Sequence, residues 1–340
     1  MSGLDAFPLP HREIARTALT AAFGSAQTDS VSRVPGGATQ AALYRVDRGG
    51  RAYVLRIEGT PSPLRNPRQY ESLRIAAAEG IAPPVHYTDA ARGVLVTDFI
   101  AERPLDTYPG GPRALAAAVG TLLAQLQDTP VFPAFMDYPD IVGRLFAHVG
   151  RTGLFAPGLL DAHTAALARI HEHWKPAQLV SSHNDPNPRN ILFDGTRLWL
   201  IDWESAYRND ALIDVAIALD NLAPSPELEE ALLSAWHGDT PGEAIRARLK
   251  TARTLTRLYY AGVLLSASAT IPRATPDADL SAPTLNDFRR AVRDGALTPG
   301  TPQIVHVVGK MYLAAFLSGD PVPALAEVAL TAQPAPAAKP

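Results

Sequence analysis

Three polar residues, Asp185, Asn190 and Asp202, stand at a spacing that phosphoryl transfer can use. They lie in Ser182-His183-Asn184-Asp185-Pro186-Asn187-Pro188-Arg189-Asn190-Ile191-Leu192-Phe193 and in Leu198-Trp199-Leu200-Ile201-Asp202-Trp203-Glu204. Such chemistry must place an acceptor hydroxyl, hold Mg²⁺ on phosphate and neutralise developing charge. Asp185 is placed to accept the hydroxyl proton, and Asn190 and Asp202 supply the hard oxygens that Mg²⁺ prefers. A hairpin of Ile191 to Phe193 and Leu198 to Ile201, turning at Asp194-Gly195, returns the strand end at Asp202 to the side of the loop. Pro186 and Pro188 restrict the loop backbone and hold Asp185 and Asn190 in a fixed relation. Taken singly, each Asp or Asn reads as a cap or an Asx turn; the joint pattern favours the site.

The elements that must position these residues follow from hydrophobic periodicity. A helix over His11 to Phe23 ends at Gly24, and strands Ala41 to Val46 and Ala52 to Ile57 flank Arg48-Gly49-Gly50 as a hairpin. A helix through Glu71, Leu73 and Ile75 stops at Gly80, and strand-like runs follow at Val85 to Thr88 and Gly93 to Phe99. From about residue 104 the spacing turns helical, with Leu115, Val119, Leu122, Leu123 and Leu126 on one stripe. Similar stripes cover 141–149, 159–174, 212–222, 227–237, 243–268 and 303–317. The expected class is α+β: a small sheet-rich lobe over 1–100, a larger helical lobe over 101–330, and a Pro- and Ala-rich tail, 331–340, expected to be disordered.

Composition narrows the functions. The 340 residues carry 31 basic and 34 acidic side chains, a net charge of −3, which excludes a nucleic-acid surface spread over the whole protein. With no cysteine there is no thiolate nucleophile, disulfide, iron–sulfur cluster or Cys-ligated zinc. Asp5, Arg12, Glu13 and Arg16 interrupt the N-terminus, so it does not read as a secretory signal. The longest uncharged stretch, Leu258 to Ile271, is about 14 residues, short of the roughly 20 a spanning helix needs. A cytoplasmic protein acting on a small molecule, without membrane or nucleic-acid partners, is the expectation. The common phosphate-loop, dinucleotide, nucleophile-elbow and zinc-protease motifs are absent. His171 and His173, two apart on a helix, point to different faces and do not make a metal pair.

The segment 182–222 resembles the phosphotransferase family that includes aminoglycoside phosphotransferases, choline and ethanolamine kinases and thiamine kinase. His183-Asn184-Asp185, Asn190, Ile201-Asp202-Trp203-Glu204, Asn209-Asp210 and Asp214-Val215-Ala216 resemble its choline-kinase-like branch. The resemblance spans roughly 31–318 and is firmest at 182–216. It implies a bilobal protein-kinase-like fold, ATP, Mg²⁺ and a small hydroxylated, often cationic acceptor. Gly36-Gly37-Ala38-Thr39-Gln40 is similar to the family's nucleotide loop, with Gly36, Gly37 and Thr39 toward phosphate and Gln40 in place of the usual Asn; a Gly-Gly pair also reads as a plain turn. No lysine precedes Lys175, so Arg56 takes the place of the phosphate-pairing lysine.

An unpaired charge in an apolar strand is costly, so Arg56 needs a partner. Glu71 fits and resembles the family's ion-pairing glutamate; otherwise Arg56 faces solvent and Glu71 pairs with Arg74. Val94 to Ile100 resembles the hinge strand, whose Asp98 carbonyl and Ile100 amide would read adenine, although a plain buried strand also accounts for it. His183 resembles the histidine that props the catalytic loop. Glu204 either assists the metal or caps a turn, and Asp214 either caps its helix or accepts backbone N–H bonds from the loop. Carboxylates and aromatic faces hold cationic acceptors. Glu204, Tyr207 and Tyr259 are the leading candidates, beside Trp203, Asp210 and Tyr260. The resulting expectation is an ATP-dependent kinase of a choline-, ethanolamine- or thiamine-like alcohol. An aminoglycoside-type antibiotic is the second acceptor class, and a non-catalytic nucleotide-binding module is the rival.

Overall fold

Gly49 and Gly50 take φ of 56° and 75°, the left-handed pair that a two-residue hairpin turn requires and that glycine adopts without a Cβ clash. Across that turn β2 (Ala42–Arg48) pairs antiparallel with β3 (Arg51–Ile57), and β1 (Ser30–Arg33) lines the outer edge of β2. The computed structural model describes residues 3–34, 41–59, 65–271 and 275–319. With β4 (Val85–Asp89) and β5 (Val94–Asp98) the sheet has the order β1-β2-β3-β5-β4 and every pair antiparallel.

Alternation along these strands sends Tyr44, Val46, Tyr53, Leu55, Val94 and Val96 to one face. There Phe7 and the Ala15, Ala18 and Leu19 stripe of α1 (Leu9–Phe23) close the core, and α1 stops at Gly24 in the left-handed conformation. Leu43, Arg45, Val54, Arg56 and Leu95 point to the opposite face and stay half-buried.

The chain divides into two compact units. The first comprises 1–135, 180–186 and 190–208, and so takes in α2 (Gln69–Ala78), α3 (Gly111–Gln127) and the hairpin of β7 (Ile191–Phe193) and β8 (Leu198–Leu200). A break at residue 100 does not coincide with this division. The reason is local: Arg103 N donates to Phe193 O at 2.7 Å, Leu200 N donates to Ile81 O at 3.0 Å, and α3 packs on β8. The hairpin is thereby fastened to chain that precedes it by about 100 residues.

The second unit is helical: α4 (Tyr138–Arg151), α5 (Asp161–His173), α6 (Ala211–Leu222), α7 (Pro226–His237), α8 (Glu243–Ser268), α9 (Leu285–Arg293) and α10 (Pro302–Ser318). The long α8 carries apolar residues toward α4, α6 and α10. Gly309 lets α10 come close, since a Cβ there would lie 2.7 Å from the Leu265 side chain. Arg253 and Arg257 of α8 both bind Asp220 of α6. Short strands β6 (Leu179–Ser182) and β9 (Tyr207–Asp210) pair with each other. The segment 331–340 and the glycine loop 36–40 lie outside the described residues.

Candidate active site

The catalytic-type loop is built on buried polar side chains. His183 is fully buried, its Nε2 2.8 Å from Ile201 O, with its ring edge-on to Trp203 at 4.8 Å. Burial pushes its pKa down to about 4, so the ring is neutral and props the loop as a hydrogen-bonding spacer. Asn184, at φ 63°, donates through Nδ2 to Ser205 O at 2.9 Å and Tyr207 O at 3.3 Å, and its Oδ1 accepts from Ser182 Oγ. These bonds fix a left-handed residue just before Asp185, a conformation asparagine tolerates better than most.

Asn190 Nδ2 donates to Asp185 O at 2.9 Å and to Asp185 Oδ2 at 3.2 Å. The amide therefore sets the aspartate's orientation and turns its own Oδ1 the other way. Ile201 N donates to Asn190 O at 2.9 Å, which links the loop to the strand end that carries Asp202. Asp202 is itself left-handed, φ 63° and ψ 66°, so the chain leaves the line of β8 there. Both strained residues flank the site, as backbone strain does at many functional centres.

Arg56 reaches this corner from β3. Its Nη1 donates to Asp202 Oδ1 at 2.7 Å and its Nη2 to Glu204 Oε2 at 3.3 Å, with the arginine side chain only 11% exposed. Burial works against its charge, but Asp202 and Glu204 outweigh it and hold the guanidinium above its ordinary pKa. Burial also raises the Glu204 pKa, and repulsion from Asp202 adds to this against the pull of Arg56 and Arg65.

The expected Arg56–Glu71 pair does not form: Glu71 is exposed and binds Arg68 at 2.6 Å, three residues earlier on the chain, with Arg74 a weaker electrostatic neighbour. The cause is the anchoring of α2. Asn66 Nδ2 and Ser72 Oγ both donate to Ala206 O, which turns Gln69, Tyr70, Ser72, Leu73 and Ala76 inward and Glu71 to solvent.

Two participants escape sequence reading. Glu58 sits two residues beyond Arg56, on the same strand-like face, and accepts from Arg65 Nη1 at 2.6 Å and Gln69 Nε2 at 3.0 Å. Arg65 also donates to Glu204 Oε2 at 3.2 Å. The period-2 spacing of Val54, Arg56 and Glu58 was the available signal for Glu58; Arg65, in a Pro-rich stretch, offered none.

At the hinge, Asp98 N donates to Pro84 O and Phe99 N to Ala52 O, both at 3.0 Å. Strand alternation then puts the Asp98 carbonyl and the Ile100 amide on the edge away from β3. Pro83 and Pro84 have no N–H to offer on that side. The Asp98 carboxylate is occupied by His86 Nε2 at 2.7 Å.

Of the acceptor candidates, Glu204 is in the site. Tyr207 is not available: it is 2% exposed, packed on Phe135 at 5.6 Å, and a ring so buried shows no face to a ligand. Trp203 is excluded likewise at 5%. Tyr259 is half-buried in the helical unit, against Tyr138 and Tyr260. Asp210, not Asp214, caps α6, accepting from Leu212 N, and Asp214 lies buried in the first turn.

Among the described residues no three His, Asp or Glu side chains gather as a metal cage. The donors present, one oxygen of Asp202, the Asn190 Oδ1 and the neighbouring Glu204, suit a cation that takes most of its ligands from water and phosphate, as Mg²⁺ does. Among the described residues the buried Nε atoms of Arg56 and Arg65 have no acceptor.

The loop, the strand-terminal acid and the buried arginine on an α+β frame define a protein-kinase-like phosphotransferase. The sequence profile described as the phosphotransferase enzyme family matches residues 30–250, and the chain belongs to that family. Protein LicA of Haemophilus influenzae is 27% identical over 197 residues, 56% of this chain and 74% of LicA. Among solved structures, a choline/ethanolamine kinase family protein from Mesorhizobium loti superposes with a TM-score of 0.65 at 21% identity, over 94% of this chain and 99% of its own. A structure of LicA in complex with AMP has a TM-score of 0.59 at 17% identity, over 84% and 97% respectively. No described helix is long and apolar enough to cross a membrane.

Proposed function

We propose that the chain transfers the γ-phosphoryl group of ATP to the hydroxyl of a choline- or ethanolamine-like alcohol. The observation that carries this reading is the pair of bonds from Asn190 Nδ2 to Asp185, beside an Asp202 already matched to a buried Arg56. Asp185 orients the acceptor hydroxyl and takes its proton as the oxygen attacks phosphorus. Asn190 Oδ1 and Asp202 would hold Mg²⁺, which when bound would neutralise charge on the phosphates. Arg56 supplies positive charge to the phosphate chain, a contribution of electrostatics rather than bond making.

The Asp98 carbonyl and Ile100 amide accept and donate to the adenine edge, and Gly36, Gly37 and Thr39 serve the phosphates through main-chain N–H groups. Glu204 is the residue assigned to the cationic end of the acceptor. The name of the Mesorhizobium loti neighbour, a choline/ethanolamine kinase family protein, supports this acceptor class over an antibiotic.

The test is ADP and phospho-product formation from Mg-ATP with a panel of choline, ethanolamine, thiamine and an aminoglycoside. Turnover with a hydroxylated amine that disappears in Asp185→Asn supports the reading. Mg²⁺-dependent nucleotide binding with no turnover on any alcohol points instead to a non-catalytic module.

A further inference from the structure

The site contains more charge than the transfer reaction has employed. Asp202, Glu204 and Glu58 bring three carboxylates, and among the described residues Arg56 and Arg65 are the cations paired with them. Glu204 Oε2 is shared, 3.3 Å from Arg56 Nη2 and 3.2 Å from Arg65 Nη2. Arg65 is as enclosed as Arg56, with 11% of its side chain exposed, and its Nη1 is fixed by Glu58, itself 8% exposed. Gln69 at the start of α2 braces Glu58 from behind at 3.0 Å.

We propose that Arg65 is a positioning residue that acts through Glu204, holding that carboxylate so that Arg56 is free to turn to phosphate. The proposal rests on the reading of the site given above and deepens it. Arg56 has one terminal nitrogen on Asp202 and the other on Glu204, so an Arg56 that moves to a phosphate oxygen gives up at least one carboxylate. A half-buried Glu204 left without a counter-charge is costly, and the low local dielectric magnifies the cost. Arg65, already in place and braced by Glu58 and Gln69, takes that charge over without moving. Without Arg65, Glu204 retains Arg56 and the phosphates lose it. The Glu58–Arg65 pair also stands in for the missing Arg56–Glu71 contact, tying β3 and α2 to the site by a different route.

The experiment is calorimetric titration of ADP at saturating Mg²⁺ into the full chain. Arg65→Gln is expected to weaken MgADP binding about tenfold, the scale of losing a group that orients a site residue. Arg65→Lys, a single-point cation that reaches Glu58 or Glu204 but not both, is expected to lose about threefold. In a Glu204→Gln background, where only the Asp202 bond remains on Arg56 and no Glu204 charge is left for Arg65 to balance, either Arg65 change is expected to add less than about twofold. An Arg65→Gln protein that binds as wild type overturns the proposal, and so do losses that persist undiminished beside Glu204→Gln. Should Arg65→Gln fail to fold, the Lys variant and its pairing with Glu204→Gln decide by the same criteria. Failure of the wild-type chain to bind MgADP at all would instead overturn the nucleotide reading itself.

Discussion

Two arginine pairs, built from the same ingredients, solve opposite problems. In the helical unit Asp220 accepts Arg253 Nε at 2.7 Å and Arg257 Nε at 2.9 Å; Glu229 takes Arg253 Nη1, and Gly319 O takes Arg257 Nη1. Two carboxylates meet two guanidiniums and both Nε atoms are satisfied. Around Asp202, among the described residues, three carboxylates meet two guanidiniums whose Nε atoms lack acceptors, and Glu204 is pushed toward its neutral form by burial and by its neighbour. The first pair is closed and serves packing; the second is left short of positive charge, which is the electrostatic condition for taking up a cation and the phosphates it carries.

The sharpest way to break the contrast is at Asp185, outside both pairs. Asp185→Asn keeps the shape but cannot take a proton, and kcat is expected to fall by about 10²–10⁴ while MgADP affinity stays within about threefold. Asp220→Asn tests the closed pair: two buried guanidiniums lose their shared carboxylate, and urea unfolding is expected to show a loss of about 3–5 kcal/mol with MgADP affinity unchanged in the folded fraction.

A pH prediction follows from His183. Burial sets its folded pKa near 4, below the ordinary 6.5, so as pH falls the unfolded chain binds the proton first. Its contribution is therefore intact above about pH 6.5 and is lost progressively down to about pH 4, reaching roughly 3 kcal/mol. His183→Asn, whose amide does not titrate, should show a shallower fall in unfolding free energy over that window. The smallest effect belongs to Glu71→Ala. Its pairing with Arg68 is at the exposed surface, so melting temperature and MgADP affinity are both expected to stay at wild-type values. A loss of affinity there would restore Glu71 to the site.

The catalytic loop was readable because its parts are close in sequence. His183, Asp185, Asn190 and Asp202 lie within one loop and one hairpin, and hairpin geometry decides their meeting. The same holds for α1, whose stop at Gly24 is written in the chain, and for the β2–β3 turn. The Arg56 partnership was not readable, since Asp202 is 146 residues away and the nearer Glu71 is the natural guess. What decides it is the rotation of α2 about its axis, set by Asn66 and Ser72 reaching Ala206. Tyr207 and Trp203 read as ligand-facing aromatics by type, yet packing on Phe135, Phe132 and His183 takes them into the core. β1 left no pattern strong enough to find, since Ser30–Arg33 is a polar edge strand; α9 did carry one, the Thr284 cap and Leu285, Phe288 and Val292 on one stripe, and it was overlooked because the run is short and charged.

The most direct test of the central claim is transfer of labelled γ-phosphate from ATP to choline or ethanolamine by the purified chain, with Asp185→Asn alongside. The account predicts a phosphorylated alcohol that requires Mg²⁺ and falls at least about a hundredfold in the variant. Product formed equally well by Asp185→Asn would contradict it.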